Sequence, residues 1–260
     1  MNGDLSQEYK EYAQRLVSQF DPKSPVAEAY RVLRTNLNFA ALDRPFQTLL
    51  VTSPGPEEGK STTIANLAVV LAQSGVPTLL VDCDLRKPMV HKIFQLDNGR
   101  GLTNLLVDRE ASPAGYVRET AVPGLSVLTS GPLPPNPTEL LSSRRMAELI
   151  EELKKAYRMI LFDSPPVVAV ADAAILAAKV DGVLLVVRSH KSRNDMALEA
   201  KNLLDKASAN ILGVVVNGLP PRGESYYYYY YYYYGGSEHK ENGSGGGILK
   251  KLFRLVRRKE

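Results

Sequence analysis

Six short apolar runs punctuate the chain: FQTLLVTS (46–53), PTLLVD (77–82), LSVLTS (125–130), RMILFD (158–163), GVLLVV (182–187) and ILGVVVN (211–217). Each is bounded by Gly, Pro, Asp or Ser, and most are continuously apolar rather than alternating. Such runs predict strands buried on both faces, as in a parallel sheet. Helical stretches are predicted between them, roughly at 60–74, 138–157, 170–180 and 195–208, with two more at 5–19 and 24–41 before the first strand. In the second of these, Ser24 is an N-cap, Pro25 takes the first helical position and Glu28 follows in the first turn. Strands alternating with helices predict an α/β fold with right-handed crossovers and about six to seven strands in one domain.

This regular pattern stops near Pro220-Pro221. Beyond it stand nine consecutive tyrosines, Tyr226, Tyr227, Tyr228, Tyr229, Tyr230, Tyr231, Tyr232, Tyr233 and Tyr234, followed by the stretch GGSEHKENGSGGG. The Gly/Ser/charged composition predicts a flexible, disordered linker. The expected organisation is therefore 1–42 as N-terminal helices, 43–221 as the core, 222–247 as tyrosine cluster and linker, and 248–260 as a basic tail.

Composition narrows the class. Of the 260 residues, 44% are hydrophobic and 23% charged, as in ordinary globular chains. No apolar run approaches the ~18 residues of a membrane span, and the N-terminus lacks the apolar core of a signal peptide. The single cysteine, Cys83, excludes a disulfide framework or a multi-cysteine metal site. His91, His190 and His239 show no metal-ligand spacing. These features predict a cytoplasmic protein. The net charge of +4 is concentrated at one end: residues 248–260 hold six Lys/Arg and one Glu, or +5, leaving −1 for the other 247. A near-neutral body argues against nucleic-acid binding and for a basic tail.

The chemistry begins at TSPGPEEGKSTT, which follows an apolar run and opens a helical pattern. Strand, loop and helix in that order are the context of a P-loop. Its backbone N–H groups and the helix N-terminus hold phosphates. Lys60 neutralises the β/γ-phosphates, Ser61 coordinates Mg²⁺, and Thr62 stands beside it. The nucleotide-binding set is Gly55, Glu58, Gly59, Lys60, Ser61 and Thr62. Pro54 occupies the place of the first glycine in the strict pattern, so the motif is a variant. Two further apolar runs end in carboxylates, Asp82 with Asp84 and Asp163, at the strand ends where open α/β sheets build their sites. A strand-end aspartate beside a P-loop is the usual organiser of Mg²⁺.

DCDLRKP resembles the second Walker motif of the deviant P-loop ATPases that include septum-positioning and partitioning proteins. In that resemblance Asn217, at the end of ILGVVVN, reads adenine. More specific still are five separated motifs in one order: the helix Glu28-Ala29-Tyr30-Arg31-Val32-Leu33-Arg34, the loop TSPGPEEGKSTT, the block Leu133-Pro134-Pro135-Asn136-Pro137-Thr138-Glu139-Leu140-Leu141, Asp163-Ser164-Pro165-Pro166, and the terminal tyrosine cluster. Together, over about residues 20–236, they resemble the bacterial tyrosine kinases (BY-kinases) of capsule and exopolysaccharide synthesis. The family's P-loop carries the same proline-rich lead-in; Glu57, where a small residue is usual, is a minor departure.

The resemblance implies a protein-tyrosine kinase that uses ATP and Mg²⁺ to phosphorylate its own tyrosine cluster. Lys60 holds phosphate, Asp82 is the base or orienter for the tyrosine hydroxyl, and Ser61, Asp84 and Asp163 organise the metal; Asp82 and Asp84 are not separable from sequence. Glu28, Arg31 and Arg34, spaced by three along one side of a helix, imply a homo-oligomeric ring, an octamer in the family; read alone, they also fit a solvated face with local ion pairs. Implied partners are a membrane activator protein and a phosphotyrosine phosphatase. Two other functions compete on the same motifs, a partitioning-type ATPase switch and a non-enzymatic nucleotide-binding regulator, and the tyrosine run argues against the first. The family offers nothing for residues 248–260. There Ile248, Leu249, Leu252, Phe253 and Val256 form one apolar helical stripe flanked by cations. This fits a peripheral contact with an anionic membrane surface, docking onto the activator or the kinase body, or a solvated tail.

Overall fold

The computed structural model describes residues 12–219. Seven strands form one sheet in the order β3-β4-β2-β5-β1-β6-β7. They are β1 (Thr48–Thr52), β2 (Thr78–Asp82), β3 (Arg118–Glu119), β4 (Leu125–Leu128), β5 (Met159–Asp163), β6 (Gly182–Arg188) and β7 (Ile211–Asn217). All neighbours run parallel except β3 against β4. The α-helices are α1 (Val17–Phe20), α2 (Pro25–Asp43), α3 (Lys60–Gln73), α4 (Val90–Ile93), α5 (Leu102–Val107), α6 (Pro137–Ser142), α7 (Arg144–Lys154), α8 (Asp172–Ala177) and α9 (Asn194–Lys206).

Continuous apolar strands do here what two covered faces require. Leu50, Leu79, Val81, Ile160, Phe162, Val183 and Leu185 face one core, shared with buried residues of α5 to α9. Their strand neighbours Leu49, Val51, Leu80, Leu161, Leu184 and Val186 face a second core, shared with α3 and with Leu37 of α2. The alternation is the period of two built into any strand. Each such side chain taken out of water contributes about 1.5–3 kcal/mol, which is why β1, β2 and β5 occupy the centre.

Four elements differ from expectation. β7 has the same apolar composition but lies at the sheet edge, with Val214 58% and Val216 49% exposed. β3 is two polar, exposed residues and carries no apolar signal. The long helix expected at 138–157 is two, because Ser143 is extended (φ −58°, ψ 156°) and its hydroxyl accepts from Met146 N to cap the second. Of the helix expected at 5–19, the described part is broken at residues 14–16 before α1. Helix α2 begins as read, with Ser24 accepting from Ala27 N. The tyrosine cluster, linker and basic tail lie outside the described residues.

Because the central strands are parallel, β1, β2 and β5 release their loops on one edge of the sheet. Asp82 pairs in register with Asp163, and Val51 with Asp163. The P-loop and two strand-end carboxylates are thereby neighbours. Among the described residues no helix is long and apolar enough to cross a membrane.

Candidate active site

The P-loop leaves β1 and turns into α3 at Gly59, whose φ of +93° is left-handed. Glycine is needed twice over there. A side chain would be strained at that φ, and a Cβ would collide with Asn217 Nδ2. That amide donates to the Glu58 carbonyl at 3.1 Å, so the end of β7 holds the phosphate loop. Glu58 is buried, and its Oε1 accepts from Gly55 N at 3.1 Å. Ser53 Oγ donates to the Gly55 carbonyl at 2.7 Å. Glu57 is also left-handed (φ 57°). Lys191 donates to its carboxylate at 2.9 Å and Arg188 to its carbonyl at 3.2 Å. The hydrogen bond from Lys191 holds the exposed Glu57 carboxyl below the usual range.

Lys60 is the first residue of α3 and is buried. Its ammonium donates to Ser61 Oγ and to Asp84 Oδ2, both at 3.1 Å, and stands 3.6 Å from Asp163 Oδ1. Burial opposes its charge, but Asp163 and Asp84 more than offset this, and its pKa is raised. Thr62 turns its carbonyl to Asn66 Nδ2 at 2.9 Å, one turn further along α3.

The three carboxylates differ in what they touch. Asp82 is fully buried and accepts from the amides of Asp84 (3.2 Å), Met89 (3.1 Å) and Val90 (3.0 Å). Asp84 takes the amides of Arg86 (3.3 Å) and Lys87 (2.9 Å) on Oδ1, leaving Oδ2 to Lys60. Asp163 is fully buried; no close hydrogen bond reaches either of its oxygens, and what it faces is the Lys60 ammonium at 3.6 Å and the Ser61 side chain. Burial and mutual repulsion push Asp82 well above the usual carboxylate range. Burial also raises Asp163, opposed by the Lys60 ammonium. Three carboxylates against one ammonium leave a site short of positive charge. Burial likewise pushes the Cys83 thiol up, as expected of a small buried side chain between two aspartates.

This arrangement fits a divalent cation that arrives with its ligand. Among the described residues no group of three or more His, Cys, Asp or Glu is set to hold a metal ion by itself. Mg²⁺ is ordinarily held by one or two carboxylates plus substrate phosphates and water. The Asp163 oxygens, which accept no close hydrogen bond, supply that kind of donor.

The E-x-x-R-x-x-R residues lie elsewhere, on α2. Glu28 and Arg31 pair with each other, Arg31 also donates to the Pro22 carbonyl at 2.8 Å, and Arg34 donates to the Val70 carbonyl of α3 at 3.1 Å. The same helix exposes Val26, Val32, Phe39 and Leu42. Half-buried Tyr30 packs against the core that α3 lines, and burial raises its phenol pKa, opposed by the Thr63 side chain.

Sequence reading did not single out Arg188, Lys191 or Asp172, nor connect them to the site. Arg86 and Thr138 stood inside quoted motifs, but nothing in one sequence says that residues 86, 138 and 172 meet.

Comparison with known proteins agrees with this geometry. A family model described as an AAA domain matches residues 57–205. The chain is 48% identical over 203 residues to the tyrosine-protein kinase YwqD of Bacillus subtilis (strain 168), covering 78% of this chain and 85% of that protein. Among solved structures, the chimerical protein CapA2B2 superposes with a TM-score of 0.76 at 42% identity, over 80% of this chain and 91% of that one. The septum site-determining protein MinD of Pyrococcus horikoshii OT3, complexed with Mg-ADP, gives 0.57 at 25% identity, over 67% and 74%. With this P-loop and these strand-end carboxylates on a mostly parallel sheet, the chain belongs to the bacterial tyrosine-protein kinases, enzymes on the P-loop NTPase fold.

Proposed function

We propose that the chain transfers the γ-phosphoryl group of ATP to its own run Tyr226–Tyr234, at the site built around Lys60. The observation that carries this is Asp163: a fully buried carboxylate whose oxygens accept no close hydrogen bond and face the P-loop ammonium at 3.6 Å. A structural carboxylate that costly to bury would be hydrogen-bonded; one kept for a cation need not be. Ser61, Asp84 and Asp163 would hold Mg²⁺, which when bound neutralises charge developing on the transferred phosphoryl group. Lys60 sits on the β/γ-phosphates. Gly55, Glu58, Gly59 and Thr62 shape the phosphate loop, and Asn217 holds its end and borders the base. Asp82 spends its oxygens on three backbone amides, so in this conformation it anchors the loop that carries Asp84 rather than meeting a substrate hydroxyl. Nine adjacent tyrosines are not a pattern that core packing calls for, and modification adds about −1.5 to −2 charges each. Incubating the purified chain with labelled ATP and Mg²⁺ tests the reading: phosphotyrosine supports it, and hydrolysis without phosphotyrosine points instead to an ATPase switch.

Family membership extends the proposal to capsule or exopolysaccharide export, with a membrane activator and a phosphotyrosine phosphatase as partners at the inner face of the membrane. We propose also that α2 joins copies into a ring. Its exposed Val26, Val32, Phe39 and Leu42 support this, although Glu28, Arg31 and Arg34 make bonds within the single chain. Arg31→Ala/Arg34→Ala protein is expected to lose the assembled mass in light scattering and to autophosphorylate more slowly; unchanged mass would remove the interface. For residues 248–260 the proposal is an anionic membrane surface, each cation near it contributing about 1 kcal/mol. Full-length chain should co-sediment with anionic vesicles and a chain ending at Gly247 should not; equal binding would favour docking on protein.

A further inference from the structure

We propose that Arg86, Thr138 and Asp172 form a brace that aims Asp84 at the phosphate end of the site, making all three positioning residues for phosphoryl transfer. The inference rests on the reading that Asp84 serves the metal. Asp84 is aimed by its own loop: the amides of Arg86 and Lys87 fix Oδ1 and thereby turn Oδ2 to Lys60. The loop is anchored at one side by Asp82, which takes the amides of Met89 and Val90. Its other anchor is the Arg86 side chain. Arg86 makes a two-pronged contact with Asp172, Nε to Oδ2 at 2.8 Å and Nη2 to Oδ1 at 3.2 Å. Thr138 closes the triangle, its hydroxyl donating to Asp172 Oδ1 at 2.6 Å and accepting from Arg86 Nη2 at 3.0 Å.

Two features argue for more than a fastener. Asp172 is fully buried while the Arg86 side chain is 39% exposed, so the carboxylate bears the desolvation cost and the guanidinium supplies direction. A forked pair fixes orientation as well as distance, which a lysine could not do. The three residues also come from three separate elements: the loop after β2, the start of α6 and the start of α8. This gives the block 133–141 a task at the site, since Thr138 reaches Asp84 through Arg86 alone. A carboxylate displaced by an ångström serves a transition state poorly even when the fold is intact.

The test uses the full-length chain with Thr138→Val, which keeps the volume and removes the hydroxyl, Thr138→Ser, which restores it, and Asp172→Asn. In metal-free protein, amide hydrogen exchange at Arg86 and Lys87 should rise about tenfold in Thr138→Val, the worth of one hydrogen bond, and return in Thr138→Ser. The Mg²⁺ concentration for half-maximal phosphotyrosine formation should rise several-fold, while ADP binding without metal stays unchanged. Should Asp172→Asn fail to fold, Thr138→Val carries the test alone. Wild-type exchange and a wild-type Mg²⁺ requirement in Thr138→Val would overturn the brace. Asp84→Asn separates the two claims: a raised Mg²⁺ requirement there, with none in Thr138→Val, sinks the brace only. An unchanged requirement in Asp84→Asn overturns the metal reading and the inference with it.

Discussion

Lys60→Met is expected to abolish phosphotyrosine formation and to destabilise the ligand-free fold. The catalytic loss should be on the order of a hundred- to a thousandfold, as when one preorganised donor to developing charge is removed. The stability loss has a separate cause. Lys60 is the cation shared by Asp84 and Asp163, both buried. Breaking a buried pair by removing one partner costs about 3–5 kcal/mol, or roughly 10 °C in melting temperature for a domain of this size. The effect has a definite pH dependence. Lys60 titrates above its ordinary value, so its contribution is fully present below the unfolded lysine pKa and is lost only as pH rises through the folded one. In the variant the carboxylates can escape by binding protons. The gap between wild type and variant should therefore be small near pH 4 and widen toward neutrality. Thermal melts across that range check it; a gap independent of pH would contradict the charge assignment.

Asp163→Asn should also eliminate phosphotyrosine, but with the opposite effect on the fold. Burial raises the Asp163 pKa in the native chain, against the pull of Lys60. A carboxyl whose folded pKa lies above its unfolded one favours folding in acid, and that benefit is lost as pH rises through the interval between the two. Its ionised form near neutrality has only the Lys60 ammonium at 3.6 Å and the Ser61 side chain to offset burial, and no close hydrogen bond. An amide of the same shape removes the charge, and Lys60 keeps Asp84. The variant should gain about 1–2 kcal/mol near pH 7, a rise of a few degrees, shrinking as pH falls toward 4. Lower stability at pH 7 would mean that Asp163 is held for the fold rather than for a cation.

What sequence could tell about this molecule follows the range of the interactions involved. The buried faces of β1, β2, β5 and β6 were legible because a strand covered on both sides must be apolar at every position. The same rule misread β7. Apolar content does not say how many neighbours a strand has, and β7 has one. The break at Ser143 was invisible as periodicity, since the apolar spacing continues across it; a serine three residues before Met146 was the available cap signal. At the candidate site, the placing of Gly59, Lys60 and Ser61 at one strand-to-helix turn was legible because that motif is local and contiguous. Asp82, Asp84 and Asp163 were legible because parallel strands deliver their ends to one edge. The different surroundings of Asp82 and Asp84 were not, because they depend on which backbone amides each meets in the loop through Val90. The contact of Arg86 with Asp172 spans 86 positions and joins different elements, and no local pattern encodes it. The tyrosine run is conspicuous in the sequence because no packing rule calls for it, and the proposed role as phosphoacceptor rests on that and on the family.

The most direct measurement is phosphosite mapping by mass spectrometry after incubation of the full-length chain with ATP and Mg²⁺, beside Lys60→Met. The account predicts phosphate on the peptide carrying Tyr226–Tyr234 in the wild type and none in the variant. Phosphate absent from that peptide, or equal in the two proteins, would contradict it.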